Sequence, residues 1–147
     1  MNIRILYFLQ KGFFMNHKNI HITEKDRSRL GQLMLYCDFF TEQDQKILRK
    51  LNYDISHGRV VSEHEMPWNI VGIHSQVELQ EIISGIKITI TLVFPEEDDP
   101  KNNRISILTP IGMALIGSKI GDIIEYGEPH TVYNLIIQNT IRTFDRV

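Results

Sequence analysis

Hydrophobic residues recur at helical spacing through residues 20–66. Leu30, Leu33, Met34 and Cys37 fall at i, i+3, i+4 and i+7, and Ile47, Leu48, Leu51 and Ile55 form a second stripe. Each stripe follows a Thr-x-x-acid start, Thr23-Glu24-Lys25-Asp26 and Thr41-Glu42-Gln43-Asp44. There a threonine hydroxyl can accept a free first-turn N–H and the acid can reach back. Asp38-Phe39-Phe40 forms the turn between the two helices. The pattern predicts an antiparallel helical hairpin whose stripes face each other. Gly31 costs about 1 kcal/mol relative to alanine, so the first helix depends on its partner.

Beyond the polar run Ser62–Pro67 the period changes from helical to strand-like. Ile70 to Glu81 alternates, Ser84-Gly85 turns, and Lys87 to Val93 alternates strictly, with Ile88, Ile90 and Leu92 on one face. Pro95 to Asn103 is a charged loop between prolines, expected to be solvated. Arg104 to Thr109 is a strand stopped by Pro110, which cannot donate to a ladder. Thr109 then caps a short helix carrying Ile111, Ala114, Leu115 and Ile116 and ended by Gly117. Gly121-Asp122 turns the chain into a strand at Ile123–Tyr126, and Thr131–Thr143 supplies the last strand. The expected fold is α+β, a short N-terminal antiparallel helical hairpin followed by an antiparallel sheet wrapped on one short helix. The expected divisions are a leader at 1–19, the hairpin at 20–66 and the sheet domain at 67–147.

Composition narrows this picture. The chain has 147 residues, 42% hydrophobic and 23% charged, with a formal net charge of −2, enough for one real core. No charge excess points to nucleic acid. Lys46, Arg49, Lys50 and Arg59 are interspersed with Asp44, Asp54 and apolar residues and read as a solvated helix face. Residues 1–14 hold Ile3, Ile5, Leu6, Tyr7, Phe8, Leu9, Phe13 and Phe14, but the run breaks at Gln10-Lys11-Gly12. Spanning a bilayer needs ~20 apolar residues, so neither export nor insertion is supported. This segment is either an upstream extension ahead of Met15 or a hydrophobic docking segment. The single Cys37 excludes an intrachain disulfide and suits the reducing cytoplasm.

Chemistry of its own is poorly supported. His64-Glu65 lacks a second histidine four residues on, so it is no helical zinc site. His74-Ser75 has no Gly-x-Ser-x-Gly elbow. Cys37 on its stripe is a packed small hydrophobe, and His17, His21, His57 and His130 are scattered. Trp68 beside Pro67 is expected to anchor the hairpin to the sheet domain. No catalytic residue, metal site or cofactor is expected.

The run Ile105-Ser106, Thr109-Pro110-Ile111-Gly112, Ala114-Leu115-Ile116-Gly117 and Lys119-Ile120-Gly121-Asp122 resembles the signature of the Gre transcript-cleavage factors of bacterial RNA polymerase. Glu65-Met66-Pro67, Val71 and Ser75-Gln76-Val77 resemble more narrowly the Rnk branch of that family, the regulators of nucleoside diphosphate kinase. The resemblance implies an FKBP-like C-terminal domain of the non-isomerase kind, since fold does not carry function. It implies that the domain docks near the mouth of the polymerase secondary channel, with Leu108, Thr109, Pro110 and Ile111 matching the contact loop. Leu108, where some relatives are polar, implies a more apolar contact. In Gre factors acids at the hairpin tip help hold a second metal ion that activates water. Asp38, Glu42 and Asp44 are either their analogues or, for Glu42 and Asp44, helix caps.

About thirteen residues from Glu24 to Tyr36 span only ~20 Å, whereas Gre hairpins are substantially longer. The expected function is therefore a Rnk-like regulator that binds RNA polymerase without cleaving RNA and competes with Gre factors. A monomer is expected, with no sequence-specific nucleic-acid contact and no membrane association. A true cleavage factor, an isomerase or an interaction module for another partner are the alternatives.

Overall fold

The computed structural model describes residues 20–128 and 131–142. The leader, His17, His130 and Thr143 lie outside the described residues. The elements in chain order are β1 (His21–Ile22), α1 (Glu24–Leu35), α2 (Glu42–Ser56), β2 (Arg59–Val60), β3 (Ser75–Glu81), β4 (Lys87–Val93), β5 (Arg104–Ser106), α3 (Pro110–Leu115), β6 (Ile123–Glu128) and β7 (Thr131–Arg142).

Local chemistry starts both arm helices where the threonines stand. The Thr23 hydroxyl accepts from Asp26 N and the Thr41 hydroxyl from Asp44 N, each at 3.2 Å, satisfying one orphan donor per helix. The turn between them is a 3-10 turn at Cys37–Phe39. Both stripes face inward: Leu30, Ile47, Leu48, Leu51 and Ile55 are buried, with Leu33, Met34 and Cys37 packed on them. A two-residue parallel ladder of β1 with β2, absent from the expected fold, ties the root of α1 to the end of α2. The chain passes so close there that a Cβ on Gly58 would collide with the Ile20 carbonyl oxygen.

The second layer is a five-stranded sheet in the order β5-β4-β3-β7-β6. Alternation sets its faces: Val77 and Leu79 of β3 point into the core, while Gln76 and Glu78 point out. Its pairings are antiparallel save one. β5 runs parallel to β4, because the 95–103 segment carries the chain back along β4 through two 3-10 turns before β5 begins. The register between β3 and β7 slips by one residue at Glu78/Leu79, a bulge that adds local twist. Helix α3 fills the core side with Met113, Ala114 and Leu115, and one hydrophobic cluster joins these residues to the arm.

Two ionic clusters fasten the arm to the sheet. Arg29 of α1 lies 4.1 Å over the Phe94 ring and bonds Glu96 at 2.6 Å and Glu97 at 3.2 Å. Arg142 at the end of β7 donates to the Ile73 carbonyl at 2.6 Å, to Glu63 at 2.8 Å and to Asp26 at 3.4 Å.

Several expectations need correction. Trp68 is 79% exposed and anchors nothing; the ionic clusters do that work. Lys50 is buried on the inner side of α2 and pairs with Asp54 at 2.5 Å, so it is not part of a solvated face. The acidic loop is not simply solvated. Glu97 takes hydrogen bonds from His74 and Arg29, and Asp98 accepts from Ser106 N at 2.9 Å. His74 stands just ahead of β3 with a φ of 67°, a left-handed conformation uncommon for a residue bearing a Cβ. Ile70 makes only an isolated bridge with Lys119, and β3 starts at Ser75.

Candidate functional site: the signature corner and the hairpin tip

The corner from Ser106 to Asp122 is held by short-range bonds that explain its residues. Ser106 Oγ accepts from Leu108 N at 3.0 Å and turns the chain out of β5. The Thr109 hydroxyl donates to the Ser106 carbonyl at 2.7 Å and accepts from Gly112 N at 3.0 Å, so one side chain closes the turn and caps α3. Pro110 occupies the first helical position, where its missing N–H costs nothing. Gly112 is required by approach: a Cβ there would be driven into the Ser106 carbonyl oxygen. Gly117 and Gly121 take φ values of 78° and 94°, and Asp122 Oδ2 accepts from Lys119 N at 2.9 Å to close the second turn.

Most of the signature is therefore spent on backbone geometry. What it presents outward is a small ledge, with Thr109, Pro110 and Ile111 partly exposed. Leu108 is buried within the hydrophobic cluster, which revises the idea of a more apolar contact through it.

The hairpin tip holds the other expected residues. Asp38 is exposed in the 3-10 turn, Glu42 is exposed at the start of α2, and Asp44 is partly buried with its N–H capped by Thr41. Among the described residues no group of three or more histidine, cysteine or acidic side chains is placed to hold a metal ion, so these three carboxylates do not form a ligand set. The periodicity left something unremarked here. Leu35, Tyr36 and Phe39 are the most prominent groups at the tip, and they lie outside the inward stripe of Leu30, Leu33, Met34 and Cys37. A helical-wheel reading of that stripe would have placed them on the outer face.

Glu97 collects partners from three separate segments: His74 Nε2 at 2.9 Å, Arg29 at 3.2 Å and Arg104 at 3.3 Å. Burial alone would raise its carboxyl. The His74 hydrogen bond and the His74 and Arg29 charges outweigh that and hold it below the ordinary glutamate value. Arg142 is raised in the same manner, burial opposing and Glu63 and Asp26 prevailing.

The part of the chain that holds the sheet, the Thr-Pro corner and the short α3 is matched, from residue 66 to residue 139, by the family model of transcription elongation factor GreA/GreB, C-terminal part. A transcription elongation factor GreA of Clostridium botulinum is 37% identical over 127 residues, covering 82% of this chain and 79% of its own. The regulator of nucleoside diphosphate kinase of Escherichia coli is 29% identical over 119 residues, covering 78% and 82%. The solved structure of a prokaryotic transcription elongation factor GreA/GreB from Nitrosomonas europaea superposes with a TM-score of 0.72 at 30% identity, covering 82% of this chain and 98% of that one. The chain belongs to the GreA/GreB family of transcription elongation factors. No helix among the described residues is long and apolar enough to cross a membrane.

Proposed function

We propose that this protein is a Rnk-like regulator that binds bacterial RNA polymerase near its secondary channel, modulates elongation without cleaving RNA, and competes with Gre factors for that site. The observation that carries this reading is the length of the arm. Helix α1 has 12 residues, about 18 Å at 1.5 Å per residue, against the substantially longer arms that deliver acids to the polymerase active centre. Metal-assisted hydrolysis needs a carboxylate within coordination distance, and an error of an ångström can cost ~100-fold in rate. Competition needs only overlap at the channel mouth and comparable affinity. The ledge of Thr109, Pro110 and Ile111 is the surface that makes the contact, and Glu42 and Asp44 serve α2 as first-turn acids.

The test is a pull-down with core RNA polymerase followed by a cleavage assay on a backtracked complex. Wild-type protein binds, leaves the RNA full length, and slows cleavage by an added Gre factor as it is titrated in. Pro110→Arg abolishes binding while the fold survives; unchanged affinity would remove the ledge from the reading. The 37% identity to a GreA favours a second reading, an active cleavage factor using Asp38 or Glu42. RNA shortened by this protein alone, with the shortening lost in Asp38→Ala or Glu42→Ala, would establish it.

A further inference from the structure

A sheet with one wet face alternates apolar-in and polar-out, and three positions here depart from that rule. In Ile123-Ile124 of β6 and Ile136-Ile137 of β7 the second residue is buried in the core, so the first projects from the opposite face of the sheet. Ile82, just past the end of β3, is held beside them by its N–H, which donates to the Asn134 carbonyl at 3.0 Å. The β3–β4 turn extends this apolar surface with Ile83 and Ile86, and the turn is fixed. Glu81 N donates to the Ile86 carbonyl and Gly85 N to the Glu81 carbonyl, each at 2.9 Å, while the Ser84 hydroxyl donates to the Glu81 carboxylate at 2.7 Å.

Ile82, Ile83, Ile86 and Ile123 are 50%, 87%, 62% and 56% exposed. Together they leave on the order of 400 Å² of apolar surface open, comparable with the largest patch on an ordinary monomer. Interfaces are about 60% apolar, so two such patches set face to face bury about 1,300 Å² in all, which is within the range of specific complexes.

The charges name the occupant. Lys87 of β4, Gln80 of β3, Ile136 of β7 and Ile123 of β6 are opposed from strand to strand and form one row across the sheet. Glu125 stands two residues along β6, opposite Asn134. The patch therefore has a basic group on its β4 flank, an acidic group on its β6 flank and isoleucines between. A polyanion would find a single lysine there. A two-fold axis lying in the plane of contact brings the β4 flank of one copy onto the β6 flank of the other, so Lys87 meets Glu125 twice and isoleucine meets isoleucine. We infer that this face joins two copies of the chain in a two-fold dimer. The arm and the ledge stay open in such a dimer, because both leave the sheet at its other end, where Ser75 pairs with Arg142 and Val93 with Ser106. Dimerisation of this kind needs no polymerase and stands apart from the proposed function.

Sedimentation equilibrium of the full chain, from micromolar to millimolar concentration, tests it. Wild-type protein associates reversibly to a dimer with a dissociation constant in the micromolar range, as suits a small interface. Ile83→Glu and Ile123→Glu each weaken association at least about tenfold, with the melting temperature of dilute protein unchanged, because both side chains are exposed. Lys87→Glu or Glu125→Lys also weakens it, and the double exchange restores it. Within one copy the two residues lie three strand spacings apart, about 14 Å, so only a contact between copies gives that rescue. A monomer at every concentration would overturn the inference. So would a dimer indifferent to Ile83→Glu and Ile123→Glu, and failure of the double exchange to restore association would refute the two-fold pairing.

Discussion

Replacing Arg142 by methionine removes the guanidinium while keeping most of the stem volume. Three partners lose it. Glu63 is 42% exposed and rehydrates, so that pair contributes about 0–1 kcal/mol. Asp26 is 4% exposed and cannot rehydrate. Stranding a buried carboxylate costs about 3–5 kcal/mol when a close pair is broken, but the 3.4 Å contact is at the limit of a hydrogen bond, so about 1–3 kcal/mol is appropriate. The Ile73 carbonyl loses a charged donor at 2.6 Å, worth about 1 kcal/mol. The sum is about 3 kcal/mol, or a drop in melting temperature of about 10 °C for a chain of this size. Urea and thermal melts measure it. Adding Asp26→Asn to Arg142→Met removes the stranded charge and recovers about 1–2 kcal/mol, a coupling expected only between groups in contact. A loss under about 1 kcal/mol, or a double variant equal to the sum of the singles, would show that this cluster does not fasten the arm.

Three further outcomes are expected. Gly112→Ala destabilises by more than about 2 kcal/mol, although alanine is the better helix former by about 1, because its Cβ meets the Ser106 carbonyl; a stabilised variant in urea melts would refute the close approach. Glu97→Gln costs about 1–2 kcal/mol at neutral pH. Since the folded Glu97 carboxyl is held below its ordinary value, that contribution is present above the usual glutamate range and disappears as pH falls through the lowered value, so wild-type and variant melts converge in acid and a constant gap would contradict the pairing. Trp68→Ala changes stability by no more than about 0.5 kcal/mol, since the ring is exposed; a drop of several degrees in melting temperature would mean that it packs after all.

What the sequence determined by itself is what depends on a few neighbouring residues. Both Thr-x-x-Asp starts cap helices, Gly117 and Gly121 adopt positive φ, and the alternation of β3 divides core from surface, whereas in β4 Ile88 is exposed and Val93 buried. Caps, turns and face alternation are settled within about four residues, so they are readable in one dimension. The ledge at Thr109, Pro110 and Ile111 was visible for the same reason, through a signature that is mostly turn chemistry. Tertiary structure decided the rest. Nothing near Lys50 announces its burial against Asp54 inside the hairpin, and nothing near Trp68 announces its exposure. The parallel placement of β5 beside β4 depends on how the 95–103 segment folds back, with Glu97 drawn in by His74 and Arg29. Arg142 meets Asp26 across 116 positions of sequence and Arg29 meets Glu96 across 67. A side chain's charge is written in the sequence, but whether it is solvated, buried or paired depends on which surfaces meet when the arm closes on the sheet, and burial multiplies the strength of that pairing.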